Sequence, residues 1–137
     1  MEVGRRYVTD VRVRWSDLDA FGHVNNARIL TLLEEARVDW LFVEAGRSGA
    51  DRLVQGVVVA RMDIEYRRQI SFGPPVQVSM GVATLGAASF TVDYRVCVER
   101  ELAVTASTQL VPVDPETFRP RRLDPAERAF LQPYLAA

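Results

Sequence analysis

Asp17–Ala45 reads DLDAFGHVNN-ARILTLLEEARVDWLFVEA, and its two parts differ sharply in character. The first ten residues crowd acids, imidazole, amides and glycine together, and they hold the only histidine, His23, and both asparagines, Asn25 and Asn26, of the chain. The rest is strongly apolar: Ile29, Leu32, Leu33, Ala36, Trp40 and Val43 return to one helical face, and Leu30, Val38, Leu41 and Phe42 widen that stripe. A long, largely buried helix is therefore predicted over 26–45. Asn25 or Asn26 can cap its start through a short amide side chain, and Gly46 can end it. Polar chemistry thus falls at a helix N-terminus, where unpaired backbone N–H groups and a partial positive charge polarise a carbonyl or hold an anion.

On either side of this stretch the periodicity is two. Val11, Val13 and Trp15 alternate with Arg12 and Arg14, which predicts a first strand over 7–15. Beyond a loop from Gly46 to Gly56, alternation marks four more strands. One runs through Ala60, Met62, Ile64 and Tyr66, a second through Val76 to Val82, a third through Phe90 to Val98 and a fourth through Leu102 to Leu110. Gly73-Pro74-Pro75, Gly86 and Glu99-Arg100-Glu101 supply the turns between them. Connections this short favour antiparallel neighbours. A single apolar helix and several one-sided strands are satisfied together when the sheet curls around the helix, an α+β architecture in which edge strands invite pairing between subunits. Asp124-Pro125 opens a short final helix through Leu131.

Composition narrows the function classes. At 137 residues, 48% hydrophobic and 26% charged, the chain fits one globular domain over 1–137 that can bury a core without disulfides or a structural metal. A formal net charge of −1 gives no general attraction to nucleic acid or to an anionic membrane. Every Lys/Arg position is arginine, several in small groups such as Arg67-Arg68, and arginine suits phosphate and carboxylate. Cys97 is alone, so neither an internal disulfide nor a cysteine pair for zinc is available, and one histidine argues against a histidine metal site. No Gly-rich phosphate loop and no bilayer-length apolar stretch occur. The expectations are a cytoplasmic protein with no metal, no cofactor, no nucleic-acid partner and no membrane insertion.

Taken together, Trp15-Ser16-Asp17-Leu18-Asp19, Gly22-His23-Val24-Asn25-Asn26, Leu33-Glu34-Glu35-Ala36-Arg37 and, more weakly, Tyr66 to Gly73 resemble the hotdog-fold thioesterases of the 4-hydroxybenzoyl-CoA thioesterase-like group. The resemblance spans nearly the whole chain. It implies a five-stranded antiparallel sheet wrapped around one long central helix, assembled as a homodimer or homotetramer with active sites at subunit interfaces. It also implies hydrolysis of an acyl-CoA thioester, with the catalytic carboxylate on Asp19 and a carbonyl-polarising backbone N–H on Asn26. The same elements are similar to acyl-ACP thioesterases, whose pattern places an asparagine where this chain has Phe21. That departure removes one member of their proposed Asp-Asn-His set and leaves Asp19 and His23.

Thioester hydrolysis needs an activated water or a nucleophile, and donors for the developing oxyanion. Asp19 suits the role of general base or of nucleophile; in a purely structural role it would brace the turn, as expected for Asp17. His23 can orient water, donate to the carbonyl or hold the loop. Glu34 can orient water or the loop, or pair with Arg37 one turn along the helix. Phe21, Gly22 and Asn25 are candidates for contacting substrate, and Arg67 and Arg68 for meeting the phosphates of coenzyme A. Phe21, Trp40, Met62 and Phe72 are candidates for an acyl pocket. Two alternatives stand beside acyl-CoA hydrolysis: an acyl-ACP substrate, and a catalytically silent module that binds acyl thioesters.

Overall fold

The structure, a computed structural model, describes residues 4–136. Five antiparallel strands form one sheet in the order β1-β3-β4-β5-β2: β1 Tyr7–Val11, β2 Val57–Tyr66, β3 Val76–Leu85, β4 Phe90–Val98 and β5 Glu101–Pro112. Helix α1 (Asn26–Val38) lies on the inner face, burying Ile29, Leu32, Leu33 and Ala36 against it. The expected sheet around one long helix is therefore the architecture present. The helical path extends past Val38 as a wider, π-type segment over Asp39–Glu44 and finishes as the short turn α2 (Ala45–Arg47), one residue beyond Gly46. Trp40 is fully buried at this irregularity, with Tyr7 stacked on it at 6.0 Å and Tyr134 edge-on at 4.9 Å. Trp40 is thus core rather than pocket lining.

The first strand stops earlier than its alternation suggests. Its partner β3 begins only after Pro74-Pro75, so Val11 opposite Val76 is the last pair. The chain then closes a turn: Asp17 N–H donates to the Arg14 carbonyl at 2.9 Å, and the Arg14 N–H donates to the Asp17 carboxylate at 2.8 Å. Val11 and Val13 are buried as expected, but Trp15 is carried out to solvent, 78% exposed.

β2 starts three residues before Ala60 and contains a bulge there. Val59 pairs with Leu110 and Arg61 with Gln109, leaving Ala60 as the extra residue. An inserted residue reverses the alternation. Val57 and Val59 before the bulge therefore face the helix together with Met62, Ile64 and Tyr66 after it. The final helix, α3 (Pro125–Leu131), is set by a reciprocal cap in which Asp124 accepts from the Glu127 N–H at 2.7 Å and Glu127 accepts from the Asp124 N–H at 2.8 Å. Glu127 is fully buried and also receives both terminal nitrogens of Arg121 at 2.8 Å, so its charge is paired and hydrogen-bonded.

Candidate active site

The loop between the Asp17 turn and α1 folds back on itself. Asp19 N–H donates to the His23 carbonyl at 2.9 Å, Gly22 N–H to the Asp19 carbonyl at 3.1 Å, and Asn25 N–H to the Asp17 carbonyl at 2.9 Å. Gly22 makes the reversal with φ +79°, a left-handed conformation that a side chain disfavours. The outer side of the loop is fastened to the segment after β2, where Val24 N–H donates to the Ile70 carbonyl at 2.7 Å and His23 bridges to Ser71. Asp17 is buried and spent on the turn.

Asp19 is half-buried. Its Oδ1 accepts from the Phe21 N–H at 2.9 Å, which fixes the carboxylate, while its Oδ2 has no partner among the described residues. Asn25 caps α1, accepting from the Ala27 N–H through its side-chain oxygen at 2.9 Å, and Arg28 and Ile29 N–H both donate to its carbonyl. The Asn26 N–H, at the first helical position, has no acceptor among the described residues. Asp19 and Asn26 line the same pocket of about 200 Å³, together with Phe21, His23, Ile29 and Tyr66. One small cavity is thus lined by a residue whose carboxylate has an oxygen without a partner and by a residue whose helix-end N–H has none, among the described residues. That pairing suits attack on a carbonyl whose oxygen needs stabilising.

His23 is half-buried, and its Nδ1 is shut off from solvent without a hydrogen-bond partner among the described residues. Its ring also lines a second, wider cleft of about 690 Å³ with Arg68, Gln69, Ser71, Glu99 and Glu101. His23 therefore stands in the wall between a tight pocket and an open polar cleft. Arg67 and Arg68 line the tight pocket too, each tied to an exposed acid, Glu65 at 3.0 Å and Glu101 at 3.1 Å. A phosphate arriving here competes with those carboxylates.

The structure brings Asp19, Phe21, His23, Asn26, Arg67 and Arg68 together, with Gly22 and Asn25 shaping the loop. Glu34 stands apart. It lies about 12 Å further along the helix axis, is 67% exposed, and sits 3.8 Å from Arg37. Phe21 is 85% exposed at the pocket mouth, whereas Met62 and Phe72 line neither this pocket nor the cleft. Tyr66 is a site residue that the sequence pattern hides: it alternates like any core residue, yet its hydroxyl donates to the Asn26 carbonyl at 3.2 Å and pins the helix start over the strand end. Gln69 likewise lies in both cavities. Among the described residues no cluster of three His, Cys, Asp or Glu is arranged to hold a metal ion, and no helix is long and apolar enough to cross a membrane.

Comparison with known proteins gives a consistent result. Residues 13–133 match the family model described as the Thioesterase-like superfamily. The long-chain acyl-CoA thioesterase FadM of Escherichia coli is 32% identical over 98 residues, which is 72% of this chain and 74% of that protein. A 1,4-dihydroxy-2-naphthoyl-CoA hydrolase of Synechococcus elongatus is 28% identical over 99 residues, 70% of this chain and 73% of its own. Among solved structures, a Thermus thermophilus thioesterase complexed with coenzyme A and zinc superposes with a TM-score of 0.78 at 35% identity, covering 91% of this chain and 90% of that one.

Proposed function

Because this chain belongs to the thioesterase-like superfamily and has its hotdog fold, we propose that it hydrolyses an acyl-CoA thioester to the free acid and coenzyme A. The observation that carries the proposal is that Asp19 and Asn26 line one pocket, the Asp19 Oδ2 and the Asn26 N–H both being without partners among the described residues. With the thioester carbonyl oxygen at the Asn26 N–H, the α1 terminus stabilises the oxyanion that forms on attack. Asp19 either removes a proton from the attacking water and returns it to the departing thiolate of coenzyme A, or attacks the carbonyl itself, expelling the thiolate and giving an anhydride; the water that then cleaves the anhydride supplies the proton that the thiolate takes up. His23, between pocket and cleft, is assigned to orient the water or donate to the carbonyl. The cleft beyond it gives the pantetheine arm a way out, with Arg68 in its wall and Arg67 in the adjoining pocket for the phosphates.

The active unit in this reading is a homodimer formed through β2. That strand is a ten-residue edge with Val58 and Val59 exposed, and a long unpaired edge seeks a partner. On α1, Leu30, Glu34 and Val38 make an exposed stripe at i, i+4, i+8 on the uncovered helix face. An antiparallel two-fold pairing of β2 edges covers both features and gives one continuous sheet. Glu34 then faces the interface, where a carboxylate can steer water or the neighbouring loop.

Thiol release from a panel of saturated, unsaturated and aromatic acyl-CoAs, run beside the same acyl groups on acyl carrier protein, tests the proposal. Turnover of acyl-CoA is the expected result. Turnover confined to acyl carrier protein would move the substrate to that carrier, and tight binding without thiol release from either would make the protein a silent acyl-thioester-binding module.

A further inference from the structure

A second pocket, also about 200 Å³, lies at the other end of the groove between α1 and β2, with apolar walls from Val38, Phe42, Val57, Val59 and Leu110 and both Glu34 and Arg37 in its lining. One guanidinium reaches it. Arg37 has a side chain only 13% exposed. Its Nη1 donates to the Tyr94 hydroxyl at 3.2 Å, and that hydroxyl is already bonded to Thr108 at 2.7 Å inside the core. The Glu34 carboxylate, at 3.8 Å, is beyond hydrogen-bond reach and largely in water. A guanidinium carries five N–H donors, and among the described residues only one of those of Arg37 has an acceptor. A cation this far withdrawn, with donors to spare against apolar walls, is a receptor for an oxygen brought in by a ligand.

Within one protomer this pocket is remote from Asp19. Tyr66 pins the N-terminus of α1 over the end of β2, and Arg37 lies eleven residues on, about 16 Å along the helix. The half-buried Met62 and Ile64 fill the groove between. Antiparallel pairing of two β2 edges reverses that relation. The Tyr66 end of one strand then lies beside the Val57 end of the other, and the Asp19 pocket opens onto the Arg37 pocket of the second copy.

We propose that the acyl group runs from Asp19 of one protomer into the apolar pocket of its partner. There the partner's Arg37 selects acyl groups carrying an acceptor oxygen, as hydroxyl, oxo or carboxylate, at the end away from the thioester. This rests on the hydrolase reading and on the β2 dimer. Arg37 is then a specificity-determining residue acting in trans, and the preference arises because an acyl chain without the oxygen leaves its donors unmatched.

The experiment compares kcat/KM for octanoyl-CoA, ω-hydroxyoctanoyl-CoA and the ω-carboxy analogue, for the wild type and for Arg37→Met. The wild type is expected to favour the oxygenated substrates by about tenfold or more. Arg37→Met, checked as a dimer by sedimentation, is expected to bring that ratio to about one, slowing the oxygenated substrates and speeding octanoyl-CoA because the unmatched donors are gone. A wild type that prefers octanoyl-CoA overturns the inference whether or not the variant folds, and so does an equal loss on all three substrates, which is what a purely structural Arg37 would produce. Mixed dimers of Asp19→Asn and Arg37→Met chains, obtained by co-expression, are expected to regain turnover of the ω-hydroxy substrate, because one of their two sites is intact. No gain would place Arg37 in its own protomer's site and overturn the trans arrangement. Release from no acyl-CoA at all would overturn the hydrolase reading and this one with it, whereas release favouring octanoyl-CoA overturns this one alone.

Discussion

Tyr7 shows how a residue outside the site sets a property of the molecule. Its hydroxyl donates to Asp39 at 2.6 Å beneath the stacked Trp40, and burial, followed by the adjacent carboxylate, pushes its ionisation well above the ordinary value of 10.0. The folded state therefore holds the phenol proton more tightly than the unfolded chain does. Stability from this group is fully present below pH 10 and is lost as pH rises from there towards the raised value. Tyr7→Phe is expected to cost about 1 kcal/mol at neutral pH and to flatten the alkaline decline, which urea midpoints between neutral pH and pH 11 will measure. At this scale the sequence was informative where chemistry is local. Asp17 as a brace and Asn25 as a cap follow from short polar side chains next to a helix start. It was silent on Tyr66, whose role depends on a contact forty residues away in sequence.

Strand and helix existence could be read from periodicity, since burial on one face imposes it. Their irregularities could not. The bulge at Ala60 depends on the partner strand β5, and the early end of β1 depends on where the prolines let β3 begin. The widened helix at Asp39–Glu44 reflects how Trp40 seats among Tyr7, Phe130 and Tyr134, three residues from both ends of the chain. The β4–β5 connection was recognisable as a polar hairpin, but its strain was not. With Val98 opposite Glu101, the two-residue turn puts Glu99 at φ 49° and Arg100 at φ 71°, where Asn-Gly is the favoured pair. Replacing Glu99-Arg100 by Asn-Gly is expected to raise stability by about 1–2 kcal/mol. The midpoint of urea unfolding should rise with an unchanged slope.

At the scale of the whole molecule, the candidate site follows from topology: the sheet order leaves β2 as an edge strand, and the helix terminus, the Asp19 loop and the strand end converge beside it, next to the surface proposed for a second copy. Val58→Glu sets a charge into the proposed interface on an exposed residue that lines neither pocket. It is expected to give a monomer by sedimentation velocity, with unchanged far-ultraviolet circular dichroism and thiol release reduced at least tenfold; a fully active monomer would contradict a site that needs two chains. Asp19→Asn keeps the side-chain oxygen that braces the Phe21 N–H while removing the charge and the basic oxygen. Acyl-CoA binding and thiol release measured on the same preparation of this variant test the assignment most directly. Affinity within a few-fold of the wild type with turnover reduced at least about a hundredfold, the scale of lost acid–base catalysis, is the predicted result. Turnover equal to the wild type would contradict it.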